Sequence, residues 1–261
     1  MMAASVVGAF SAIAPGLAAY SLGVVFLGYV VLGLSGFGSA LTIVPLLALR
    51  WPLVTVVPVV LLTDVCSGFL LARLNMRAIR WGELGALLPG IVVGAAVGAW
   101  AARWTSEPLA LAVLAAYVIA VALRRARGIP PAQPRGLLWA ALAGGLAGIV
   151  ESLYGTSGPV LVAWLSRRLN EPMELRATVP PALVTVTGCA LIGMAVSGQL
   201  AQPIVWGTFP VMFCVGLAGT AIGHRVAMRL PAAWIARVIL ALLLFAGAAM
   251  ALHAWQMQAL R

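Results

Sequence analysis

From Leu17 to His253 the chain is a nearly unbroken series of apolar runs, and most of its few charges sit in the short segments between them. The hydrocarbon core of a bilayer is ~30 Å thick, so a spanning helix needs roughly 20 mostly apolar residues. With 63% hydrophobic and 8% charged residues, a soluble domain of this length could not cover its own apolar surface. Lipid offers the backbone no hydrogen-bond partner, so such runs fold as helices. The expected class is an all-α, polytopic membrane helical bundle in the cytoplasmic (inner) membrane.

The formal net charge is +10, carried by 16 basic residues, all of them arginine. Nucleic-acid binding would need a basic face on a soluble module. Here the arginines cluster between apolar runs, where membrane topology accounts for them. Cys66, Cys189 and Cys214 lie inside apolar segments without metal-ligand spacing, and read as packed thiols. Residues 1–16 carry no basic residue ahead of their apolar stretch, and are expected to form a short interfacial segment rather than a cleaved signal.

Comparing the chain with itself brings out a duplication. Gly36-Phe37-Gly38-Ser39 meets Gly155-Thr156-Ser157-Gly158; Pro58 meets Pro181, Cys66 meets Cys189, and Trp81-Gly82 meets Trp206-Gly207. Gly94 and Gly98 meet Gly219 and Gly223, and Pro108 meets Pro231. A first repeat over 17–127, a cytoplasmic linker over 128–136 and a second repeat over 137–261 follow. Each repeat reads as five apolar segments: Leu17–Leu34, Ala40–Leu49, Leu53–Ala72, Leu84–Ala102 and Pro108–Leu123, then Leu137–Leu153, Val160–Leu165, Val179–Val196, Val205–Val226 and Ala232–His253. The second segment of each is too short to span. If the first two segments form a hairpin, 13 arginines share one face and only Arg50, Arg103 and Arg261 lie on the other. The positive-inside rule favours that arrangement, which inverts one repeat relative to the other.

A short apolar segment beside a Gly-interrupted one, at the same place in both halves, points to a transporter's binding site. The tips are Ser35-Gly36-Phe37-Gly38-Ser39 and Tyr154-Gly155-Thr156-Ser157-Gly158-Pro159. Glycine permits the tight turn and close approach of a ligand to the backbone. Ser39, Ser157 and Gly158 suit N-cap positions, and Pro159 suits a first helical turn. Each short arm would then aim its N–H groups and positive dipole end at the membrane centre, an anion site built without lysine or arginine. Ser35, Gly36, Phe37, Gly38, Ser39, Tyr154, Gly155, Thr156, Ser157 and Gly158 are the candidate substrate-binding residues. Gly94, Gly98, Gly219 and Gly223 read instead as close helix packing.

At these residues the chain resembles the sulfite exporter TauE/SafE family, the 4-toluenesulfonate uptake permease group. The likeness covers about residues 17–255 and rests on Gly36-Phe37-Gly38-Ser39-Ala40…Pro45-Leu46 and Leu153-Tyr154-Gly155-Thr156-Ser157-Gly158-Pro159. It implies two related halves and movement of sulfur-containing or organic anions across the cytoplasmic membrane. Many members carry three glycines at each break, whereas Ser39-Ala40 and Gly158-Pro159 stand here.

Two acids lie deep in apolar segments: Asp64, opposite Thr187 in the other repeat, and Glu151, just before the second tip. An acid at such depth is costly, and both are proton-coupling candidates. Thr63, Thr185 and Thr187 either line the path or bond back to their own helices. Trp51, Trp81, Trp104 and Trp206 flank apolar ends like an aromatic belt. His224 and His253 are expected at the interfaces. Gly155-Thr156-Ser157-Gly158 also fits the GxSG motif of intramembrane serine proteases, but a nucleophilic serine needs a base within reach, and no mid-helix histidine supplies one. A passive anion channel shares the transporter's features. The expected partners are a small anionic substrate (sulfonate, sulfite-like or carboxylate) and the lipid bilayer, with no nucleic acid, no metal and no cofactor.

Overall fold

A computed structural model describes residues 15–35, 38–72, 76, 78–126, 136–169, 171–227 and 229, with scattered helical positions between 234 and 256. The expectations for residues 1–14, Gly36, Phe37, Arg73, Arg77, the linker up to Arg135, His253 and Arg261 lie outside the described residues. Every regular element among the described residues is helical. In chain order these are α1 (Pro15–Ser35), α2 (Ser39–Leu47), α3 (Leu53–Ala72), α4 (Trp81–Ala101), α5 (Glu107–Ala126), α6 (Leu137–Tyr154), α7 (Gly158–Arg168), α8 (Pro172–Val196), a 3₁₀ turn (Gln199–Ala201) and α9 (Pro203–Ala227).

Five of these, α1, α4, α6, α8 and α9, are long and apolar enough to cross a membrane. At 1.5 Å per residue, the nine-residue α2 and eleven-residue α7 reach about half the hydrocarbon. The predicted α3 range, Leu53–Ala72, is reproduced at both ends. Helix α7 is longer than Val160–Leu165, because Gly158-Pro159 opens it two residues earlier and Arg167-Arg168 close it. Helix α8 starts at Pro172, seven residues before Val179, with Pro172 in its first turn after Glu171. Its charged first turn lies outside the apolar run but stays helical, as proline at N1 favours.

The bundle is pulled tight by two glycine seams. Along α4 and α6, a Cβ built on Gly90 would sit 1.9 Å from the Ala141 carbonyl oxygen, and one on Gly94 only 2.1 Å from that of Gly145. Along α1 and α9, a Cβ on Gly223 would fall 2.2 Å from the Val30 oxygen, and one on Gly219 would fall 2.7 Å from that of Phe26. Without a hydrophobic force between helices in lipid, such backbone-to-backbone approach supplies the packing. Helices α3 and α8 face each other between the seams. Two buried clusters fill the interior, one around Ile43, Leu61, Leu114 and Val118, the other around Leu87, Leu161, Leu165 and Val186.

Trp81, Trp104 and Trp206 are exposed. The indole N–H of Trp51 donates to Ser21 Oγ at 3.0 Å and holds the ring against α1. Cys66, Cys189 and Cys214 are free thiols. His224 lies in the last turn of α9.

Candidate functional site

Chain reversal between α1 and α2 ends on Gly38, whose φ of +94° is left-handed backbone open to glycine at little cost. Gly38, not Ser39, is the N-cap of α2. Ser39 is the first helical residue, and its hydroxyl turns away from the helix end to donate to Asp64 Oδ1 at 2.9 Å. That oxygen also accepts the Tyr29 hydroxyl at 2.8 Å. One carboxylate of α3 therefore ties α1 to α2 just where the chain turns.

The second tip is built by the same logic from different residues. Helix α6 ends on Gly155, left-handed with φ +66°, whose N–H donates to the Glu151 carbonyl oxygen at 2.7 Å. Ser157 is the N-cap of α7 and a proline follows in the first turn, as expected. Its N–H is taken up by Glu151 Oε2 at 2.9 Å, the preferred partner of an orphan helix-start donor. Thr187 of α8 donates its hydroxyl to Glu151 Oε1, and Tyr117 of α5 donates to the Thr156 carbonyl oxygen at 3.0 Å.

Both tips open on one central cavity of about 40 Å³, room for a few waters. Gly38, Ser39, Ala40 and Leu41 line it from α2; Gly155, Thr156, Gly158 and Pro159 line it from the second tip. Asp64, Glu151 and Thr187 complete the polar wall, and no basic residue is among those lining it. Thr156 Oγ1 is buried, with no hydrogen-bond partner among the described residues. An orphaned buried hydroxyl is costly unless something fills the space beside it.

Of the predicted site residues, the cavity thus gathers Gly38, Ser39, Gly155, Thr156 and Gly158 with both acids. Ser157 is fully buried and is not among the residues lining the cavity. Tyr154 lines a different cavity of about 170 Å³ with Pro52, Thr105 and Gln199. Gly36 and Phe37 are not described, and Ser35 closes α1. Thr63 and Thr185 bond back to Val59 and Pro181 of their own helices, whereas Thr187 faces the site. Tyr29 and Tyr117 were not among the candidates. Their signal, a phenol inside an otherwise apolar run, is shared with aromatic residues that only pack.

At one end of the bundle, Arg80 pairs with Glu174 and Arg168 with Glu83 at 2.9 Å. Each partner's hydrogen bond and charge push these guanidinium groups further up from an already high pKa. These crossed pairs bring the start of α4 beside the end of α7 and the first turn of α8.

Residues 21–250 match the family described as Sulfite exporter TauE/SafE. The chain is 33% identical over 198 residues to a probable inner membrane transporter protein, TsaS, of Comamonas testosteroni, covering 76% of this chain and 83% of that protein. No solved structure matches.

Proposed function

The chain belongs to the sulfite exporter TauE/SafE family and is a membrane transporter; on that premise we propose that it carries a small sulfur-containing or organic anion across the cytoplasmic membrane, by alternating access around the cavity between the two tips. The observation that carries this reading is that the starts of α2 and α7 face one cavity holding two carboxyl groups and a buried, unpartnered threonine hydroxyl. Helix starts attract anions through their free N–H groups and dipoles. An ionised Asp64 and Glu151 would repel one. Uptake of a proton at one carboxyl lowers that repulsion, and uptake at both removes it, which lets the anion enter.

Energetics favour the same coupling. Each charge moved across the membrane works with or against ~2.3 kcal/mol per 100 mV. A co-transported proton cancels the charge of a monovalent anion and lets a pH gradient drive its movement. The reciprocal seams α1–α9 and α4–α6, and the arginine pairs at one end, support two inverted halves, residues 17–127 and 137–261, rocking about the central α3 and α8.

Thermal stabilisation of the purified protein across sulfite, sulfoacetate, thiosulfate and simple carboxylates tests the site. At least one anion should raise the melting temperature. Gly38→Val and Gly155→Val should abolish that rise while still folding, since left-handed backbone costs a side chain roughly 1–2 kcal/mol. Around Gly155 a Cβ would stay 3.5 Å from its nearest neighbour, Val57. Unchanged anion binding in both variants would refute the site.

A further inference from the structure

We propose that Tyr29 is the gate of the central cavity on the side away from the arginine pairs, latched shut by its hydrogen bond to Asp64. This rests on the reading of the central cavity as the transport site. A second cavity of about 40 Å³ runs between α1, α3 and α9 from Ser21 and Trp51 to Tyr29 and Thr63. The Tyr29 ring lines that cavity, while its hydroxyl is bonded to Asp64, which lines the central one. The ring is therefore the partition between the two, and it is 1% exposed.

The approach to the gate is dry. The hydroxyls of Ser21, Thr63 and Thr208 all border this cavity, yet each donates to a carbonyl of its own helix: Leu17 at 2.8 Å, Val59 at 2.9 Å and Ile204 at 2.8 Å. What they present to the passage is mostly carbon. An anion cannot shed its water into such a wall without compensation, and a narrow apolar passage closes by dewetting. Motion of the ring is limited by α9. A Cβ on Gly216 would lie 3.0 Å from Tyr29 Cδ2 and one on Gly219 would lie 3.1 Å from Tyr29 Cβ, so the ring seats in a notch on the glycine face of α9, and an added methyl there must push it by a few tenths of an ångström.

Opening requires the Tyr29–Asp64 hydrogen bond to break and the ring to leave its notch. The groups facing Asp64 are the hydroxyls of Tyr29 and Ser39, with Glu151 across the cavity. The oxygen that latches the gate thus belongs to a carboxyl of the transport site, so gating and the state of that site share one atom.

Thiol accessibility tests this without any substrate, so its failure is separable from failure of the transport reading. Leu183 lines the central cavity. Leu183→Cys, placed in a protein lacking Cys66, Cys189 and Cys214, is exposed in right-side-out vesicles to a membrane-impermeant methanethiosulfonate added outside. With Tyr29 present the thiol should react slowly. Tyr29→Ala should speed external labelling at least tenfold. Tyr29→Phe, which keeps the ring and loses the latch, should speed it severalfold, as should Gly216→Ala, which crowds the notch from α9. If Tyr29→Ala fails to fold, the other two variants carry the test. External labelling at the parent rate in every folded variant, with full labelling in detergent, would overturn the gate.

Discussion

Thr187 of α8 donates its hydroxyl to Glu151 of α6, and the position matching Thr187 in the first half of the sequence is Asp64. Each tip is thus tied by a carboxylate, but from a different helix: α3 holds the first acid and α6 the second. In one half the acid sits where the other half carries its hydroxyl donor.

Removing that donor exposes how much the tie contributes. Thr187→Val keeps the shape and leaves Glu151 Oε1, in a buried residue, without its partner. The expected loss is about 1–3 kcal/mol, read as a lower midpoint in chemical unfolding in detergent. An unchanged midpoint would mean that water replaces the hydroxyl there.

The glycine seams make a sharper contrast. Gly94→Ala must force α4 from α6, because its Cβ would meet the Gly145 carbonyl oxygen at 2.1 Å. Gly145→Ala, on the same seam, meets nothing nearer than 3.7 Å. Overpacking costs typically 1–3 kcal/mol or more, so the first variant should lose folded yield while the second remains like the parent. Equal stability of the two would contradict the close approach.

Much of this was legible because membrane helices announce themselves by length, and glycine and proline by backbone geometry. The range of α3 followed from its apolar run, and the start of α7 followed from Ser157 and Pro159. The packing role of Gly94, Gly98, Gly219 and Gly223 was equally open, since each meets a neighbouring helix. What stayed hidden depends on side-chain direction. Ser39 has the chemistry of a cap, yet Gly38 takes the cap position and Asp64, 25 residues away in sequence, captures the hydroxyl. Tyr29 is one apolar-looking residue of α1 until α3 places Asp64 against it.

The arginine distribution gives a topological prediction. Arg80 and Arg168 are joined to Glu174 and Glu83 at one end of the bundle. Single cysteines at Arg80 and Arg168 should react with an impermeant reagent from the cytoplasmic side, and cysteines at Arg50 and Arg103 from the other. Labelling of Arg80→Cys and Arg168→Cys from opposite faces would rule out the inverted arrangement. Their guanidinium groups are held above an already high pKa. The guanidinium side of such a pair gives up its proton only as pH rises through that raised value, so its titration should not set any pH dependence near neutrality.

Proton-coupled anion movement through the central carboxyls is tested most directly by uptake into proteoliposomes, with an inward proton gradient as the sole driving force. The parent protein should concentrate the anion that stabilises it, faster as the external pH falls. Asp64→Asn and Glu151→Gln should each lower gradient-driven uptake at least tenfold, while Arg168→Gln leaves its pH dependence unchanged. Full gradient-driven uptake in both Asp64→Asn and Glu151→Gln would contradict the account.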